Sequence, residues 1–167
     1  MNLYILRHGI AVERDEPGFK TDADRPLIPK GKRQLRQIAA AMKNLEVHFD
    51  LILSSPFLRA RQTAEIVANA LRLKKRLAFS DELTPDGEPK ALIQQLNELK
   101  PAPESILLVG HEPYLSQLVA LLISGRAAPS VELKKGGLCK LETGVLSFGR
   151  CATLAWLLTP KQMKWMS

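Results

Sequence analysis

The sequence predicts an α/β protein, a three-layer α/β/α sandwich on a mixed, mainly parallel sheet. Three observations carry this expectation. Short, largely apolar runs recur at Leu3–Leu6, Asp50–Leu53, Leu77–Phe79 and Ser105–Val109. Runs of this kind, apolar on both faces, suit strands buried between two layers. Each is followed by a segment whose apolar residues return with the helical period. Strand and helix patterns that alternate four times imply parallel strands joined by helical crossovers. A chain of 167 residues suits one domain spanning 1–167, large enough to bury a core unaided.

The elements follow in order. After the first strand, Glu13 to Pro29 is rich in Asp, Pro and Gly and reads as a loop. From Lys32, the residues Leu35, Ile38, Ala39, Met42 and Leu45 mark one face of an amphipathic helix. Ser54-Ser55-Pro56 after the second strand offers a cap and a proline for the first helical position. The helix it opens buries Phe57, Ala60, Ala64, Val67, Ala68 and Leu71. Pro89 opens a helix along Leu92, Leu96 and Leu99, which Pro101 and Pro103 keep from continuing. After the fourth strand, Pro113 starts a helix that Gly125 closes. The tail adds strands near Leu138–Leu141 and Cys151–Leu158, one of them expected to run antiparallel.

Composition narrows the function classes. No apolar run approaches the roughly 20 residues of a membrane span, and the start lacks the features of a signal peptide. The expected location is therefore cytoplasmic, where Cys139 and Cys151 would stay reduced. Two cysteines without paired histidines make a poor zinc site. Neither a metal nor another cofactor is expected. The net charge of +7 suits an anionic substrate. Its clusters, at Lys30, Lys32, Arg33 and Arg36 and at Arg72, Lys74, Lys75 and Arg76, fall at helix ends or faces. That placement favours solvated surface over nucleic-acid binding.

In open α/β sheets, ligands bind beyond the carboxyl ends of the strands. Three such ends here carry Arg7-His8-Gly9, Ser54-Ser55 with Arg59 just beyond, and Gly110-His111-Glu112. Each alone has a plain explanation. Together they put two histidines and two arginines on one edge of one sheet. His48, the third histidine, precedes its strand at the opposite end.

Over nearly its whole length the chain resembles the histidine phosphatase, or phosphoglycerate mutase-like, superfamily, and within it the small phosphohistidine phosphatases of the SixA type. The resemblance rests on Arg7-His8-Gly9, on Arg25-Pro26-Leu27 with Gly31, and on Ser55-Pro56-Phe57-Leu58-Arg59-Ala60 with Gln62-Thr63. Glu82-Leu83-Thr84-Pro85 and Gly110-His111 complete it. It implies that His8 attacks phosphorus and carries the phosphoryl group, while Arg7, Arg59 and His111 hold its oxygens. Such chemistry needs positioning and charge compensation, which a planar guanidinium supplies. Gly9 allows close backbone approach and offers a carbonyl to hold the His8 proton on one nitrogen.

The resemblance leaves the proton donor open. Glu82 lies where the mutase-like branch has its acid, and Glu112 follows the second histidine where the acid-phosphatase branch has an aspartate. Asp81 and Asp86 are further candidates. An imidazole leaves phosphorus more easily than an alkoxide does, so phosphohistidine tolerates a weak acid. No long insertion caps the site, which suits a phosphorylated side chain on a protein, such as a histidine-containing phosphotransfer domain. A small phosphate ester, cleaved by a phosphomonoesterase of the same fold, is the alternative. A basic binding module with a vestigial site is the third, and the intact Arg7, His8, Arg59 and His111 speak against it. Ile28 departs from the Thr or Ser common after Arg-Pro-Leu in the family, in a segment expected to shape the mouth of the site.

Overall fold

The computed structural model describes residues 1–128 and 131–167. Among these, six strands form one sheet flanked by five α-helices. The strands are β1 (Asn2–Arg7), β2 (Leu51–Ser54), β3 (Leu77–Phe79), β4 (Ser105–Gly110), β5 (Leu138–Thr143) and β6 (Ala152–Leu158). The helices are α1 (Pro29–Asn44), α2 (Leu58–Ala70), α3 (Pro89–Asn97), α4 (Tyr114–Ser124) and α5 (Pro160–Lys164).

The sheet order is β3-β2-β4-β1-β5-β6. Its first four strands are mutually parallel, and β5 is antiparallel to both β1 and β6. The mixed, mainly parallel sheet is thus as expected. Strand alternation divides the core. Tyr4 and Leu6 of β1, with Ile52, Leu107 and Val109, pack under α1, α2 and Met163 of α5. Leu3 and Ile5, with Leu53, Ile106 and Leu108, pack under α3 and α4 on the other face. A strand buried on both faces needs apolar residues at every position, and that is what its sequence shows.

Three helix starts differ from the sequence reading, the first being α1, which already begins at Pro29, the last residue of the stretch read as a loop. α2 begins at Leu58 with Phe57 as its cap, because Ala60 and Arg61 donate their amides to the Phe57 carbonyl. Ser55 is still part of the sheet edge, its amide bonded to Val109 O at 2.9 Å. α4 begins at Tyr114, with Pro113 as cap, accepting from Gln117 N. Pro89 and Gly125 fall as expected; Gly125 has φ 80° and closes α4. At Gly31 a Cβ would sit 2.2 Å from Ile10 O, so only glycine lets α1 start against the chain leaving β1. Ile28 occupies the cap position of α1, where it has no side-chain oxygen to offer.

α5 is absent from the sequence reading. Thr159 and Gln162 cap it reciprocally, with Pro160 in its first turn. Both cysteines are free; Cys139 is buried, and burial pushes its thiol up to about 12. No helix of the described residues is long and apolar enough to cross a membrane.

Candidate active site

Parallel neighbours bring the sequence-distant motifs together. His8 follows β1, and its amide bonds Gly110 O at the end of β4. His111 follows β4, and its Nε2 lies 2.9 Å from Ser55 Oγ at the end of β2. The two imidazole centroids are 5.2 Å apart. Arg59, in the first turn of α2, reaches the same place and is only 2% exposed. Arg7 enters from the last position of β1. The structure therefore gathers Arg7, His8, Arg59 and His111 at one edge of the sheet, with Gly9 behind His8.

The tautomer of His8 follows from its partners. Nδ1 lies 2.7 Å from Gly9 O, and a carbonyl can only accept, so the proton sits on Nδ1. Nε2 is then unprotonated and accepts from Arg59 Nε at 3.3 Å. Burial, with the Arg59 and Arg7 charges, pushes the His8 pKa down to about 3. His8 is therefore neutral at any physiological pH. Thr63 steadies this corner: its Oγ1 accepts from Gly9 N at 3.0 Å and donates to Arg59 O at 2.7 Å.

His111 is also neutral, pushed down to about 2 by burial and then by the Arg59 charge. An arriving phosphoryl dianion would oppose both causes, so the protonated form belongs to the anion-bound state. Two buried nitrogens in this corner have no partner, Arg7 Nε and His111 Nδ1. Buried polar atoms without partners are costly and rare. Arg7 is held by its tip, Nη1 donating to Leu133 O at 2.8 Å. Phe57 rests edge-on against His111, centroids 5.3 Å apart.

The two candidate acids differ. Glu82 belongs to the short turn Asp81–Leu83, and its Oε2 accepts from Glu88 N at 2.9 Å. Glu112 is half-buried, with Oε2 bound by the Ser116 hydroxyl and Oε1 unpartnered. Burial raises its carboxyl above the usual range, although Ser116 and the Arg7 charge pull it back in part.

Sequence reasoning misses Asp22, whose carboxylate meets Arg14, Arg25 and Arg59. Arg25, quoted for the resemblance, is 8% exposed and anchors the loop by donating to Val12 O at 2.7 Å. Gln62 holds the same segment, accepting from Leu27 N. Beside the site opens a cleft of about 470 Å³, lined by Arg14, Phe19, Asp22, Phe57, Pro85 and Asp86. Among the described residues, no group of three or more His, Cys, Asp or Glu side chains is placed to hold a metal.

The buried neutral histidines have a consequence for stability. Both folded-state values lie below the ordinary 6.5. Between about 3 and 6.5 the unfolded chain binds protons that the folded chain refuses. Their stabilising contribution is therefore complete above pH 6.5 and is lost as pH falls towards 3, at ~1.4 kcal/mol per pH unit for each histidine. Urea midpoints measured from pH 7.5 down to 4.5 should fall steeply, and His8→Asn should flatten the slope. An unchanged slope in His8→Asn would show that His8 is not buried neutral.

Comparison with known proteins agrees with this geometry. Residues 3–83 match the model of the histidine phosphatase superfamily, branch 1. An uncharacterized protein of Picosynechococcus is 39% identical over 86% of this chain and 86% of its own. Phosphohistidine phosphatase SixA of Escherichia coli K12 is 35% identical over 77% of this chain and 78% of its own. The chain belongs to the histidine phosphatase superfamily. A solved structure of the protein histidine phosphatase SixA complexed with tungstate has a TM-score of 0.80 and 30% identity, covering 96% of this chain and 98% of that one. In this superfamily member the matched stretch carries Arg7, His8, Arg59 and Glu82. His111 and Glu112 lie beyond it, and it is the parallel pairing of β1 with β4 that returns them to the site.

Proposed function

We propose that this chain is a metal-independent phosphohistidine phosphatase of the cytoplasm, a single domain over 1–167 that acts on a phosphorylated protein. A histidine-containing phosphotransfer domain is the kind of partner that fits. The observation that carries the reading is the unprotonated Nε2 of His8, which accepts from Arg59 Nε at 3.3 Å, with the His111 ring centroid 5.2 Å from that of His8. In this mechanism His8 Nε2 attacks phosphorus as the bond to the substrate's imidazole nitrogen breaks. The departing ring takes up a proton. Water then attacks the phosphohistidine on His8, releasing inorganic phosphate and returning His8 to its neutral form. Arg7, Arg59 and His111 hold the equatorial oxygens throughout, where charge develops. Glu112 is the better placed proton source, because its raised carboxyl keeps a proton further into the working range.

A protein substrate is supported by the cleft beside the site and by the short connections from β3 to α3 and from α3 to β4 among the described residues. A small-molecule phosphomonoesterase would need a firm acid to protonate an alkoxide, and Glu82 is tied to a backbone amide. The test compares steady-state rates on a phosphohistidine peptide, a sugar phosphate and p-nitrophenyl phosphate, each with and without EDTA. The phosphohistidine peptide should have the highest kcat/KM, and EDTA should leave all rates unchanged. A sugar phosphate turned over faster would favour the small-molecule reading. Loss in EDTA restored by one divalent ion would contradict a metal-independent site.

A further inference from the structure

We propose that Asp22 is a positioning residue: it grips the two terminal nitrogens of Arg59 so that the Nε of that guanidinium stays aimed at His8. The proposal rests on the reading of the His8 pocket given above. Arg59 Nη1 donates to Asp22 O at 2.6 Å, and Nη2 donates to Asp22 Oδ2 at 2.9 Å. A guanidinium is planar and rigid. Fixing two of its nitrogens therefore fixes the direction of the third, which lies 3.3 Å from His8 Nε2.

Asp22 is itself held from behind. Its Oδ1 accepts from Arg25 Nε and Nη2, both at 2.9 Å, and from Arg14 Nε at 3.1 Å. Arg25 is tied in turn to Val12 O, close behind the nucleophile strand. The grip thus runs from Val12 through Arg25 and Asp22 to Arg59 and back to His8. Arg7 shows the same design in simpler form. Leu133 O takes its Nη1, and its buried Nε has no partner.

A carboxylate in this place works against phosphate binding, because it offsets one of the arginines meant for a dianion. Holding Arg59 in aim explains its presence; attracting substrate does not. The two effects separate kinetically. Removing the carboxylate should slow the chemical step by misaiming Arg59, while leaving KM unchanged or lower. A misplacement of a positioned group by about an ångström can cost up to about a hundredfold in rate.

The experiment measures kcat and KM on p-nitrophenyl phosphate for wild type, Asp22→Asn, Asp22→Ala, Arg59→Ala and the double variant Asp22→Ala/Arg59→Ala. A thermal melt of each reports folding. Asp22→Ala should lower kcat about tenfold or more without raising KM. Asp22→Asn keeps an acceptor oxygen, so it should lose less, and it decides the matter if the alanine variant does not fold. In the Arg59→Ala background, Asp22→Ala should cost less than about twofold, because a residue acting through Arg59 has nothing left to position. Equal losses in both backgrounds, or a raised KM with kcat unchanged, would overturn the proposal. If Arg59→Ala itself keeps full activity, the reading of the pocket fails, and the role of Asp22 falls with it.

Discussion

His8→Ala is expected to abolish turnover, and base-quenched wild-type enzyme is expected to carry an acid-labile phosphate on residue 8. The reasoning runs through one nitrogen. Gly9 O fixes the proton on Nδ1, and burial keeps Nε2 unprotonated. An imidazole that stays neutral down to about pH 3 needs no general base to become a nucleophile. Rate loss on lowering the pH should therefore not follow the ordinary histidine value near 6.5. Losing the nucleophile removes the covalent route altogether. The expected drop is at least about a thousandfold, as for other enzymes that act through an attacking side chain. Peptide mapping of the base-quenched enzyme identifies the labelled residue. Undiminished turnover in His8→Ala, or label on His111 in place of His8, would refute the assignment.

Arg59→Ala is expected to lose about a hundredfold or more in kcat, the cost of one preorganised charge contact to a transition state. Arg61→Ala should lose almost nothing. The two arginines stand in the same motif, but α2 turns them apart. Arg59 is sealed against His8 and Asp22, whereas Arg61 pairs with Glu65 at 2.9 Å, four residues on along the exposed face. Its guanidinium also lies over Phe79, outside the pocket. Arg59→Lys should recover only a small part of the loss, because an ammonium cannot occupy Asp22 O, Asp22 Oδ2 and the His8 side at once. Rates at saturating substrate for the three variants check this, with melting curves to show that the buried substitutions still fold. Equal losses at Arg59 and Arg61 would mean that the phosphate pocket is misplaced.

The fold was legible because strands buried on both faces have no other way to be written. Leu3–Leu6 and Ile106–Val109 are apolar at every position because both helix layers press on them. The four chemistry-bearing residues were legible because they sit at ends of such strands, or one turn beyond. Asp22 was hidden for the opposite reason. It opens a single 3-10 turn, Asp22–Asp24, inside the long loop, and of the three arginines that single it out two lie in that same loop and one in α2. Its spacing of three before Arg25 was the one available signal. The Leu133 contact to Arg7 could not be read at all, since any residue supplies a carbonyl. Ser55 was visible but given a capping role; its hydroxyl instead accepts from Phe57 N and meets His111. The cap of α5 was present in Thr159 and Gln162, but five residues give no periodicity to notice.

The position of β1 within the sheet sets a timetable for translation. It precedes the other five strands in the chain, yet its two neighbours are β4 and β5, with Asn2 paired to Ser105 on one side and Glu142 on the other. At roughly 5–20 residues per second, the wait for that second neighbour is on the order of ten seconds. Until β4 arrives, a largely apolar strand has two open edges, the condition that invites wrong pairing and chaperone capture. β2 and β3, adjacent in sequence and in space, can join long before. The strand that leads into His8 is thus made well before its surroundings are complete, since Leu133 and β5 arrive later to hold Arg7 and close its second edge.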